Sequence, residues 1–264
     1  MNPLTLAASA SVGAAFAALS WATVYPRSGF WGPVHYRAPT ATADGFALTF
    51  DDGPTHNSTV AILDLLGELK VPATFFVIGI NARSCPDLLV RMRDEGHLIA
   101  NHSLDHARLG MFRGRRYWDR QIRETNAIIE QTIGRTPAMF RPPLGAKTWC
   151  AMGAAAAQGQ AVITWSRRGV DGIATTPERV LNRLVPHARN GDVLLLHDGA
   201  EPHRPRDPAA TITALKPLIL RLRDRGLSPV PLDYLLNLPA YAVASTAALA
   251  ASDNSSRTPE SFRI

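Results

Sequence analysis

Short apolar runs that stop at polar or glycine-proline clusters alternate along this chain with longer segments whose apolar residues recur three and four apart. Phe46 to Phe50 ends at Asp51-Asp52-Gly53-Pro54 and predicts a buried strand closing in a turn. A helix follows to Lys70, with Asn57 or Ser58 at its start and Ile62, Leu63, Leu65, Leu66 and Leu69 on its apolar side. Thr74 to Ile78 predicts a second strand. Ser84 is placed to cap a helix through Leu88, Leu89, Val90 and Met92, stopped at Gly96. Leu98 to Ala100 predicts a third strand, and a long helix from about Arg115 to Ile133 ends at Gly134. Ala138 to Phe140, Gln160 to Thr164 and Val193 to Leu196 predict three more strands. Thr175 or Thr176 caps a helix that starts at Pro177, a favoured first-turn position for proline. A helix from about Ala209 to Arg225 stops at Gly226, and Ser228 to Pro231 predicts a weak last strand. Alternation of this kind builds a parallel sheet from repeated βα units. About seven strands predict an α/β fold, a distorted, incomplete (β/α) barrel, with an open doubly wound sheet as the alternative.

Composition narrows the class. Hydrophobic residues are 46% and charged residues 19% of the chain, a globular balance that excludes disorder throughout. Two cysteines, Cys85 and Cys150, make neither a disulfide scaffold nor a Cys-rich zinc module, and both are expected to be free. No G-x-G-x-x-G follows the first strand and no G-x-x-x-x-G-K-[ST] occurs, so dinucleotide and P-loop NTPase readings lose their support. The excess of 28 Lys+Arg over 22 Asp+Glu gives a net charge of +6. It is spread along the chain rather than striped, and no nucleic-acid partner is expected. Arg113, Arg115, Arg116, Arg120 and Arg123 read as one solvated helix face or one meeting an anionic membrane or polymer.

Pro3 to Val24 is uncharged and long enough to span a bilayer core of about 30 Å as a helix. Residues 1–35 are therefore expected to be a membrane anchor or a secretory signal, with an Ala-rich surface helix as a third possibility. Residues 36–238 are expected to be the catalytic domain. The small, Ser- and Thr-rich stretch 239–264 is expected to be a disordered tail. The expected setting is membrane-anchored or exported to the cell envelope, as a monomer.

On a parallel barrel all strand carboxyl ends open onto one face, and residues distant in sequence meet there. Asp51 and Asp52 end the first strand, and His102 and His106 follow the third. Arg141 follows the fourth, Trp165 ends the fifth with Asp171 behind it, and His197 and Asp198 end the sixth. Asp52, His102 and His106 form a carboxylate–imidazole set suited to a divalent ion such as Zn²⁺, with coordination positions left open for chemistry. A helix capped by Ser103 would present both imidazoles to one side. Of Asp51 and Asp52, one is placed to bind the ion and the other to accept a proton, Arg141 to hold Asp51 ionised, His197 to donate a proton to a leaving group, and Asp171 to orient His197.

Four segments, Thr49–Pro54 (TFDDGP), His102–His106 (HSLDH), Arg141–Gly145 (RPPLG) and Leu194–Gly199 (LLLHDG), resemble the polysaccharide deacetylase family, carbohydrate esterase family 4 or NodB-homology domain. The resemblance covers roughly Ala43 to Leu236. It implies a distorted (β/α) barrel and metal-dependent removal of N-acetyl groups from an amino sugar in a glycan. It further implies Asp51 as general base, Asp52, His102 and His106 as ligands of Zn²⁺ or another divalent metal such as Co²⁺, His197 as general acid, and Arg141 as the residue tuning the base. Leu144, Trp165 and Leu194 are the expected substrate contacts, Leu144 through a backbone N–H offered to the oxyanion. The chain departs from the family where Leu144 replaces an aromatic residue, Arg168 replaces an aspartate and Gly172 replaces a tryptophan. These changes bear on substrate more than on reaction. Two alternatives are hydrolysis of small cyclic amides or ureides, and a decayed, carbohydrate-binding relative.

Overall fold

The computed structural model describes residues 3–39, 44–204 and 206–242. Its strands are β1 (Ala47–Asp51), β2 (Thr74–Val77), β3 (Leu98–Asn101), β4 (Met139–Phe140), β5 (Ala161–Val162), β6 (Arg167–Arg168) and β7 (Val193–His197). All pair in parallel in the order β5-β4-β3-β2-β1-β7-β6, a sheet curved into an open half-barrel. The helices are α1 (Pro3–Val24), α2 (Thr59–Leu69), α3 (Gly79–Ser84), α4 (Pro86–Asp94), α5 (Arg115–Ile133), α6 (Trp149–Ala157), α7 (Pro177–Leu184), α8 (Ala209–Asp224) and α9 (Leu232–Leu236).

The two-residue period of a strand sorts its side chains between two cores. In β1, Leu48 and Phe50 face outward beneath the helices, with Ile62, Leu63 and Leu66 of α2 and Leu215, Leu218 and Leu222 of α8 in the same cluster. Ala47 faces into the barrel, where it meets Phe76, Ala100, Met139, Val193, and Leu232 and Leu235 of α9. The short helix α9 thus plugs the barrel interior. Asp51 has the inward parity of Ala47, as His197 has that of Val193.

Two element expectations need correction. Ser228 to Pro231 forms no strand: Pro229 makes only an isolated bridge to Phe46. The seventh strand is β6, whose arginine pair carries no apolar signature and joins the edge through backbone bonds to β7. No helix starts at Ser103. Residues 102–107 form an irregular loop in which Ser103 Oγ accepts the His106 N–H at 3.3 Å.

Residues outside the expected 36–238 span also pack on this frame. The Thr23 carbonyl accepts the Lys147 N–H at 2.9 Å, and Lys147 Nζ donates to the Tyr25 carbonyl at 2.8 Å. His35 bridges to Ile163 beyond β5, and Arg37 bridges to Asp192 before β7. Tyr241 bridges to Pro137, and its hydroxyl accepts the Ile99 N–H at 3.1 Å. The tail expected beyond residue 242 lies outside the described residues. Among the described residues, no helix is long and apolar enough to cross a membrane.

Candidate active site

Backbone in the left-handed region marks the site. Among the described residues, seven non-glycine positions have positive φ. Lys70 and Asn237 are helix C-caps. The other five are Asp52, Ser103, His106, Leu144 and Val170. Four of these, all but Ser103, line one pocket at the strand carboxyl ends. Such backbone costs about 1–2 kcal/mol per residue and persists where surrounding structure over-determines it.

At Asp52 the consequence is direct. Asp51, as the last residue of β1, points inward by parity, so Asp52 should point away. Its φ of 74° turns it back, and both carboxylates enter the pocket. The turn is clamped from β7. Asp198 Oδ1 accepts the Gly53 N–H at 3.1 Å, and Oδ2 accepts the Thr59 hydroxyl at 2.7 Å. A β-carbon on Gly53 would lie 1.9 Å from Asp198 Oδ2, so only glycine fits. Burial pushes the Asp198 carboxyl up to about 7, against those two hydrogen bonds.

Asp52, His102 and His106, all buried, offer ligand atoms within 4.8 Å of one another. Asp52 Oδ1 stands 3.5 Å from the Nε2 of each histidine and is buried without a hydrogen-bond partner. His102 Nδ1 lies 2.7 Å from the Arg141 carbonyl, which fixes the proton on Nδ1 and leaves the Nε2 lone pair facing the cluster. The histidines outweigh burial and hold the Asp52 carboxyl well below its usual range. An orphaned carboxylate oxygen between two imidazole nitrogens fits a divalent cation.

Beside this cluster, Arg141 is fully buried, and Nη1 donates to Asp51 Oδ1 at 2.6 Å and to the Thr49 hydroxyl at 3.0 Å. Its guanidinium lies 3.9 Å from the Phe76 ring centroid. Asp51 Oδ1 is thereby committed, while Oδ2 faces His102 Nε2 at 3.6 Å without a hydrogen bond. Asp51 and His197 are register partners on adjacent strands, so both inward side chains reach the pocket side by side.

His197 Nδ1 meets Asp171 Oδ1 at 2.9 Å. Asp171 Oδ2 accepts the His197 N–H at 2.8 Å and the Thr211 hydroxyl at 2.7 Å. Burial pulls His197 toward the neutral form, but Asp171 first, then Asp52 and Asp51, outweigh it and raise the imidazole to about 9. The pocket, of about 320 Å³, is lined on its remaining sides by Leu144, Trp165, Val170, Ile173 and Leu195.

Every catalytic and metal-ligating residue expected from sequence reaches this locality. Leu194 does not. It is fully buried in the outer cluster, and Leu195 lines the pocket in its place. Counting back by twos from His197 selects Leu195, so the strand parity held that signal. Sequence reasoning also missed the Thr211 support of Asp171, the Asp198 clamp, and the Arg108–Glu201 pair at the rim, which joins loops 93 residues apart at 2.6 Å. No spacing announces contacts of that kind. Cys85 and Cys150 are free.

A parallel half-barrel with carboxylates and imidazoles gathered at its strand ends defines a hydrolase-like site. The family model for polysaccharide deacetylase matches residues 38–163. The chain is 35% identical over 214 residues to a chitooligosaccharide deacetylase of Sinorhizobium fredii, covering 79% of this chain and 94% of that one. It is 32% identical over 192 residues to a peptidoglycan-N-acetylglucosamine deacetylase of Bacillus cereus, covering 72% and 87%. The crystal structure of a peptidoglycan N-acetylglucosamine deacetylase in complex with 4-naphthalen-1-yl-N-oxidanyl-benzamide superposes with a TM-score of 0.73 at 29% identity, covering 79% and 95%. The chain belongs to the polysaccharide deacetylase family, carbohydrate esterase family 4, and is a deacetylase.

Proposed function

We propose that the protein removes acetyl groups from N-acetylated amino sugars of a poly- or oligosaccharide or glycoconjugate. The observation that carries this is one pocket holding a carboxylate with a free oxygen, Asp51 Oδ2, on the strand adjacent to a carboxylate-oriented imidazole, His197. Asp52, His102 and His106 would hold Zn²⁺ or a similar divalent ion, which supplies Lewis acidity toward the acetyl carbonyl and toward water. Asp51 Oδ2 accepts the proton of the attacking water while Arg141 keeps Oδ1 occupied. The Leu144 N–H is offered to the developing oxyanion. His197, protonated through Asp171, delivers its proton to the departing amine. Trp165, Leu144 and Leu195 present an apolar wall to the sugar and the acetyl methyl group. The proposed setting is the cell envelope, where N-acetylated wall glycans lie.

Acetate release from chitooligosaccharides and from peptidoglycan fragments, measured beside ureide turnover, tests the reading. Release of acetate that stops on chelation and returns with Zn²⁺ or Co²⁺ supports it, and ureide turnover alone sinks it. His102→Ala and His106→Ala should lose both bound metal and activity, and full activity with metal bound in either would overturn the ligand set.

A further inference from the structure

Next to the reaction residues, beyond His197, the pocket wall carries charge that the reaction does not use. A β-carbon on Gly172 would lie 3.2 Å from His197 Nε2 and 3.6 Å from Arg206 Nη1, so an imidazole and a guanidinium flank the same point. Arg206 is half-buried; Nη2 donates to the Gly199 carbonyl, and Nε is buried with no hydrogen-bond partner. Arg204 lines a recess beside Gly172 and Ile173, and Arg168 lines the reaction pocket that shares those two residues. Among the described residues, neither side chain pairs with a carboxylate. Of the three carboxylates that line the recess, Glu201 pairs with Arg108 at 2.6 Å, Asp52 belongs to the candidate metal set, and Asp207 Oδ1 accepts the Ala209 N–H at 2.9 Å. The recess, about 460 Å³, opens directly off the reaction pocket and shares Gly172 and Ile173 with it.

We infer that Arg168, Arg204 and Arg206 form a subsite for an anionic group, a carboxylate or a phosphate, carried by the glycan beside the acetamide to be hydrolysed. The inference rests on the deacetylase reading above and adds a substrate class to it. A planar guanidinium pairs with either oxyanion through two parallel hydrogen bonds, and arginines in excess of the unpaired carboxylates at a pocket mouth concentrate anionic ligands. Gly172 leaves room for the ligand to reach both His197 and Arg206.

Three N-acetylated oligosaccharides of equal length provide the test: a neutral chitooligosaccharide, one with carboxylates on alternate sugars, and one with phosphates there. Binding is measured by calorimetry on metal-loaded Asp51→Asn, which retains the glycan. At least one anionic oligosaccharide should bind about fivefold or more tighter than the neutral one, the scale of one partly exposed charge pair. The difference should shrink at about 1 M salt, where the screening length is ~3 Å. Adding Arg206→Gln, or Arg168→Gln with Arg204→Gln, should narrow it, and Arg206→Lys should keep part of it. The arm that binds tighter says whether carboxylate or phosphate is read. Equal binding of all three, or a preference that neither set of substitutions moves, overturns the subsite. Acetate release by the unmodified enzyme decides the deacetylase reading separately. Release from all three without preference defeats the subsite alone, and selective anion binding without release from any defeats the reaction alone.

Discussion

Asp51 and Asp52 are chain neighbours to which the proposed mechanism gives different tasks, and substitution separates them. Asp51→Asn should leave bound metal in place, because Asp52, His102 and His106 are untouched, while kcat falls by about 10²–10⁴, the range for a lost acid–base catalyst. Metal analysis beside kcat checks this, and metal loss would mean that the two roles are exchanged. His197 gives a pH prediction. A general acid must be protonated, so the rate falls as pH rises through its pKa, and Asp171 is the group that raises that pKa. Asp171→Asn should therefore move the alkaline limb of the kcat profile to lower pH with metal retained. A limb that stays put would leave His197 without its partner. At this scale the membership of the candidate site was largely legible, because acids and imidazoles following apolar runs are conspicuous. What escaped were contacts made by residues of ordinary type. Thr211 and Asp198 act through loops that only the fold brings together, and the exchange of Leu194 for Leu195 came from reading a motif without counting its parity.

At the scale of elements, strongly periodic segments were readable and their caps only in part: Cys85, not Ser84, precedes α4, and Ser58 precedes α2 without a side-chain cap hydrogen bond. The helix expected from about Arg115 to Ile133 is α5, ended by Gly134 at φ 72°. The α7 start is equally local: the Thr176 hydroxyl accepts the Arg179 N–H at 3.4 Å, with Pro177 next to it. Thr176→Ala should lower stability by about 1 kcal/mol in denaturant unfolding, and an unchanged midpoint would show the cap to be idle. Short elements failed because two residues hold no period. β6 is an arginine pair made into a strand by the free edge of β7. The loop after His102 defeats the helix reading for another reason: Ser103 and His106 take left-handed backbone there, which no helix tolerates in succession.

For the molecule as a whole, the N-terminal helix is held to the pocket's own frame by a buried lysine. Lys147 Nζ reaches the Tyr25 and Gly145 carbonyls at 2.8 and 3.1 Å, and among the described residues no carboxylate pairs with it. Burial lowers its pKa to about 8. An amine depressed in the folded state binds fewer protons than in the unfolded chain between about pH 8 and its ordinary value of 10.5, so its contribution to stability grows as pH rises through that window. Lys147→Met should remove this slope, which unfolding curves at several pH values would register. A variant with the same slope would show that other groups set it. Neither the role of this lysine nor the docking of residues 23–38, most of which follow the uncharged Pro3–Val24 stretch, was visible in the sequence.

His197 is bonded in the chain to Asp198, and Asp52 to Gly53, and Asp198 grips Gly53. The proposed proton donor and the candidate cation-binding turn are therefore opposite jaws of one riveted caliper rather than parts of two moving loops. Such a tool does not adjust to the workpiece. Glycans carrying N-propionyl or N-butyryl in place of N-acetyl should lose kcat progressively with each added methylene, because the jaws have no joint at which to widen. A flat series would reveal a hinge at the Gly53–Asp198 contact.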